Sequence, residues 1–133
     1  NIKINNLKNV FVIEKACSNK NGKATFYLEG TKYGGGTHSL KKDKQHAGEI
    51  LVDVETLDSI ISRLKLKGVN LIKIDVEGNE VDVLRGAQQI LKRDHPKIIC
   101  ESLSKESEEG ITSVLKKFKY NVKRIHKENV LAY

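Results

Sequence analysis

The chain has 133 residues, 38% hydrophobic and 31% charged, the ordinary make-up of a soluble globular domain with room for one modest core. No apolar run approaches the ~20 residues of a membrane-spanning helix, so no membrane span is expected. The net charge of +7 comes from 24 basic and 17 acidic residues. The lysines are spread out, dense only in "KKDK" and "KKFKY", and aromatics make up 5%; a nucleic-acid platform is therefore not expected.

In chain order, "NIKINNLKN" reads as the last turns of a helix stopped at Asn9. "VFVIEKACS" follows as a strand, led by the β-branched and aromatic run at residues 10–13. "NKNGK" is a turn and "ATFYLE" a second strand. Residues 30–48 form a polar, glycine-rich loop. Gly34, Gly35 and Gly36 match no phosphate-binding pattern. A loop over a functional site and a plain surface insertion are both open for this segment.

"EILVDVE" alternates like a half-buried strand, and Thr56 is placed to cap a helix bearing Leu57, Ile60, Ile61 and Leu64 on one face. "GVN" stops that helix before the strand "LIKID". A helix then runs from Glu80 with Leu84, Ala87 and Leu91 on one face, and ends before Pro96. "KIICE" is a short buried strand, and Ile111, Val114, Leu115 and Phe118 mark a further helix. "YNVKRI" and "NVLAY" close the chain as an antiparallel pair. Strand and helix alternation from Leu71 onward predicts an α/β fold with a mostly parallel sheet, and all of 1–133 reads as one domain.

Cys17 and Cys100 have no metal or redox spacing and read as buried thiols, the usage of a reduced, cytoplasmic protein. The chain lacks methionine and its first residues lack an apolar signal region, so it is expected to begin inside a longer reading frame.

The chemistry concentrates in "LIKIDVEGNEVDVLRGA". Ligands of open α/β sheets bind beyond the carboxyl ends of the strands. Asp75 and Glu77 stand where a strand becomes a loop, Glu101 ends the next strand, and Gly78 permits a sharp turn. One helix needs one cap, so capping by Asp75 or Asn79 does not account for all these acids; Glu80 and Asp82 suit the helix dipole. A functional carboxylate rim at Asp75, Glu77 and Glu101 is expected. A divalent metal stays open where the carboxylates cluster, but no histidine lies at ligand spacing within the motif and no metal ligand is assigned. His38 and His46 read as exposed loop residues, and His95 as part of the turn at Pro96.

This stretch, followed by "HPKIICE", resembles the signature of the FkbM-type methyltransferases. Lys73, Asp75, Glu77, Gly78, Glu80, Leu84, Gly86, Ala87, Pro96 and Glu101 match that pattern. Upstream, "NLKNVFVIEKACSNKNGKATFYL" resembles the family's third-strand region, "VETLDSI" its Thr-Leu-Asp element, and "YNVKRIHKENVLAY" its closing hairpin.

The resemblance implies a class I, Rossmann-like fold and S-adenosylmethionine as cofactor. It implies methyl transfer to a hydroxyl of a small molecule or glycan, such as a sugar or secondary metabolite. The family's first two strands and glycine-rich loop would precede Asn1, so the chain is expected to be a partial domain, inactive alone. It further implies Asp75 as general base or orienting group, with Glu77 beside it. Glu101 would share the acceptor site, and Lys73 would hold the carboxylates or a substrate acid. Ala16, Cys17 and Ser18 would approach the adenine. The rival reading is a non-catalytic interaction module or degenerate paralogue. A third reading, a nucleic-acid methyltransferase, lacks here the Asn/Asp-Pro-Pro-aromatic element of the amino-directed enzymes.

Overall fold

A computed structural model describes residues 1–29, 38–41 and 46–133. It is an α/β structure with two sheets. The first holds β1 (Ala16–Cys17), β2 (Gly22–Glu29) and β3 (His46–Glu55) in the order β1-β3-β2. β1 runs parallel to β3, whereas β2 and β3 form an antiparallel hairpin. The second holds β4 (Leu71–Ile74), β5 (Lys97–Glu101), β6 (Val122–His126) and β7 (Asn129–Ala132) in the order β4-β5-β7-β6. Only β4 and β5 run parallel there, and the closing hairpin is antiparallel as expected.

The expected mostly parallel pairing is therefore corrected to a mixed one: β1–β3 and β4–β5 are parallel, the other three pairs antiparallel, and the strands fall into two sheets among the described residues. Of the strand expected over "VFVIEKACS", only β1 at Ala16–Cys17 forms, and residues 10–13 are not part of it. Those residues are irregular; Val10, Phe11 and Val12 are exposed, Phe11 83% accessible, and Ile13 is half-buried. Strand propensity does not suffice where no neighbouring strand takes up the backbone N–H and C=O groups. Residues before Asn9 form turns rather than a regular helix, with Asn5 N–H bonded to Asn1 O at 2.9 Å and Asn6 at φ 50°. Residues 30–37 and 42–45, and with them the glycine-run reading at Gly34–Gly36, lie outside the described residues, as does the side chain of His46. The strand β3 begins at His46, inside the stretch read as loop.

The helices follow local chemistry. Thr56 caps α1 (Leu57–Arg63), its hydroxyl accepting from Ser59 N–H at 3.1 Å. Ser104 caps α4 (Lys105–Lys116) in the same way. The expected single helix after Glu80 is split into α2 (Glu80–Arg85) and α3 (Gln88–Arg93). Asp58 causes the break. Its N–H bonds the Gly86 carbonyl at 3.0 Å, and its carboxylate accepts from Gln89 and Ile90 N–H at 2.9 and 3.0 Å. Those donors would otherwise bond the carbonyls of residues 85 and 86, so α3 starts afresh with a cap borrowed from α1.

The core lies between the second sheet and α2, α3 and α4, where Leu84, Leu91, Ile98, Ile111 and Leu115 are fully buried. His95 stacks on Tyr120 at 4.0 Å between ring centroids, in the left-handed turn before Pro96. No helix of the described residues is long and apolar enough to cross a membrane.

Candidate active site

β4 and β5 are parallel and in register, Lys73 opposite Ile99 and Ile74 opposite Cys100, so both strands end at one rim. Asp75 follows β4 directly and Glu101 is the last residue of β5. The chain then turns through Glu77 at φ 53° and Gly78 at φ 94°, both left-handed. The turn brings Glu77 back to its neighbours: carboxylate oxygens of Asp75, Glu77 and Glu101 all lie within 4.8 Å of one another.

Glu80 makes this turn from below. It is 1% exposed, and its Oε1 accepts from Gly78 N–H at 2.9 Å and Val76 N–H at 3.3 Å. A buried carboxylate needs such donors to remain in the fold. Asn79, also buried, donates from Nδ2 to Cys17 O at 3.1 Å and so ties the turn to the first sheet. It makes no side-chain cap to α2.

The two strand-end acids experience opposite fields. Lys73 Nζ lies 2.7 Å from Asp75 Oδ2, and this bond holds Asp75 below the usual carboxylate range. Both partners are about half exposed, so the pair adds little stability. Glu101 is pushed up to about 7, first by burial and then by the charges of Asp75, Glu77 and Glu80. Its Oε2 is shut off from solvent and makes no hydrogen bond among the described residues. The arrangement therefore pairs a carboxylate kept ionised with one poised to exchange a proton near neutral pH. Three oxygen ligands this close also suit a hard divalent cation, although acidic clusters commonly stand without one.

Beside the rim lies a cleft of about 630 Å³. Asp75, Val76 and Glu77 line one side, and Ala16, Cys17, Phe26, Ile50 and Val52 the other. The apolar wall is one face of the β2–β3 hairpin, where Phe26 pairs with Ile50 and Ala24 with Val52. Ala16, Cys17, Asp75 and Glu77 thus share one cleft. Ser18 does not line it; this buried residue turns toward the Asn79 side chain and the Gly86 backbone. Lys73 stays exposed behind Asp75, and Glu101 meets the cleft through its two carboxylate neighbours. Cys17 and Cys100 are free thiols. Burial raises both, Cys100 to about 12, which makes them poor nucleophiles. His38, expected as an exposed loop residue, is exposed but edges the cleft, its ring 6.5 Å from that of Phe26.

Comparison with known proteins decides the family. The family model described as Methyltransferase FkbM domain matches residues 1–125. The chain belongs to the FkbM methyltransferase family. This FkbM chain is 48% identical over 50 residues to "Methyltransferase 1" of Beauveria bassiana, covering 37% of its own length and 20% of that protein's. It is also similar to the crystal structure of Methyltransferase FkbM from Methylobacillus flagellatus KT. That match has 24% identity and a TM-score of 0.49, and it covers 62% of this chain and 24% of that one. The chain thus spans about a fifth of the curated relative, and its sheet arrangement rests on the strand pairing described above.

Within the FkbM signature, sequence reasoning gave Glu80 only a helix-dipole role and Asn79 only a capping one. The Gly-x-Glu spacing held the signal for Glu80, because a carboxylate two residues after a left-handed glycine can fold back onto its N–H. Nothing local pointed to the bond from Asn79 to Cys17.

Proposed function

We propose that the protein carrying this chain is an S-adenosylmethionine-dependent O-methyltransferase acting on a hydroxyl of a sugar, glycan or secondary metabolite. One observation carries the reading: Asp75, held ionised, and Glu101, poised near 7, lie together beside a cleft. Methyl transfer to a hydroxyl would break the sulfonium S–CH3 bond, leaving a neutral thioether, form a C–O bond and release one proton, which a group ionised near neutral pH can take.

The residues present fit part of the cofactor. Ala16 and Cys17 offer an apolar edge for an adenine ring, and the acids of the cleft suit its positively charged sulfonium end. When bound, S-adenosylmethionine supplies the methyl group. Asp75 accepts a hydrogen bond from the acceptor hydroxyl and orients its oxygen. Glu101, in its ionised form, takes the hydroxyl proton, a role that its raised value suits better than Asp75. Glu77 keeps that value raised, and Lys73 keeps Asp75 charged.

We also take the two sheets to belong to one class I, Rossmann-like sheet in the intact protein. β1 and β4 each pair on one side only among the described residues, and the Asn79 bond holds their ends at one rim. The test is a methyl-transfer assay on the intact protein with isotopically labelled S-adenosylmethionine and a pool of hydroxyl acceptors. Labelled ether in the wild type, reduced in Asp75→Asn, supports the function; calorimetry without cofactor binding and an assay without product leave a non-catalytic module.

A further inference from the structure

We propose that Ser39 is a positioning residue for the carboxylate rim, holding the Glu77 peptide in the conformation that keeps the Glu77 carboxylate beside Asp75 and Glu101. The inference rests on the reading of that rim as the methyl-transfer site. Glu77 is a non-glycine residue at φ 53°. Such a conformation costs about 1–2 kcal/mol and persists only where the surroundings hold it. Glu80 secures the N–H groups of Val76 and Gly78, yet neither bond reaches the Glu77 carbonyl. Ser39 does: its hydroxyl donates to Glu77 O at 2.7 Å.

Ser39 is itself a fixed point. It is buried, its N–H and C=O pair with Tyr27 on the edge of β2 at 3.2 and 2.8 Å, and its Oγ accepts from Lys41 N–H at 3.1 Å. Its neighbours His38 and Leu40 line the cleft, and the Lys41 side chain lies over Gly78. The described part of this segment is therefore a strap joining the hairpin edge to the catalytic turn, clamped from above by Ser39 and from below by Glu80.

The consequence can be read at Glu101. Asp75, Glu77 and Glu80 face it from the β4–α2 turn, Lys73 stands behind Asp75, and Asn129, its register partner on β7, is uncharged. A Glu77 carboxylate released from the rim no longer raises Glu101. The experiment is an NMR titration of the Glu101 carboxyl in isotopically labelled protein, for wild type, Ser39→Ala, Glu77→Gln and the double variant. The expected result is a midpoint lowered by about half a unit or more in Ser39→Ala, with no further fall on adding it to Glu77→Gln. Ser39→Thr, which keeps the hydroxyl, restores the wild-type midpoint. In the intact enzyme Ser39→Ala lowers kcat about tenfold or more while the cofactor KM stays unchanged. An unchanged midpoint in Ser39→Ala, or an equal fall in the Glu77→Gln background, overturns the proposal. Should Ser39→Ala not fold, Ser39→Cys keeps the shape with a weak donor and is read the same way. Wild-type protein that transfers no methyl group refutes the proposed function but leaves the titration result standing.

Discussion

Gly86 and Ser18 meet backbone to backbone: a Cβ on Gly86 would stand 2.1 Å from the Ser18 carbonyl oxygen. The approach presses the end of β1 against the break between α2 and α3, and so sets the two sheets on either side of the cleft. No side-chain rotation relieves a contact made by two backbones. Gly86→Ala should therefore destabilise the fold by about 3 kcal/mol or more. Urea unfolding measures it, and a loss below about 1 kcal/mol would mean that the two sheets move apart freely.

Asp58 caps a helix that it does not belong to. Asp58→Ala leaves the Gln89 and Ile90 N–H groups without their carboxylate and should cost about 1–2 kcal/mol. Asp58→Asn, which can still accept from one donor, should cost less. The ordering of the two variants in thermal unfolding checks the account.

Glu80 separates structure from charge. Glu80→Ala removes the acceptor for Val76 and Gly78 N–H and should cost about 2–3 kcal/mol. Glu80→Gln keeps an acceptor and removes one of the charges that raise Glu101, so the Glu101 midpoint should fall below about 7 with a smaller loss of stability. A Glu101 midpoint unmoved in Glu80→Gln would contradict the electrostatic picture of the rim.

The raised Glu101 also makes stability depend on pH with a defined sign. The unfolded chain releases this proton near 4.5, and the folded chain releases it near 7. Between those values the folded state holds more protons, so the contribution is complete below 4.5 and is lost as pH rises through about 7. On the order of 1–3 kcal/mol is at stake. Wild type should weaken relative to Glu101→Gln between pH 5 and pH 8; parallel stability curves for the two proteins would refute the assignment.

The motif was legible because its chemistry is local. Alternation in "LIKID", the turn at Gly78 and the acid ending "KIICE" were enough to bring Asp75, Glu77 and Glu101 to one rim. Thr56 declared its cap for the same reason. What depended on partners was not legible. The run at residues 10–13 has the composition of a strand and no strand beside it among the described residues. The helix period through Leu84, Ala87 and Leu91 continues across a break that Asp58 imposes from another helix. Glutamate is usually a surface residue, so the burial of Glu80 left no mark in a hydrophobic pattern. Ser39 acts across 38 residues from within a polar loop, where one serine resembles any other.

The most direct test of the rim as the reaction site is the pH–rate profile of methyl transfer under saturating cofactor, for the intact wild-type protein and its Glu101→Gln variant. The wild-type rate should rise with pH through about 7, as Glu101 loses its proton and becomes able to accept one from the hydroxyl. Glu101→Gln should run about a hundredfold slower or worse, without that rise. A variant that matches the wild type in rate and profile would contradict the central claim.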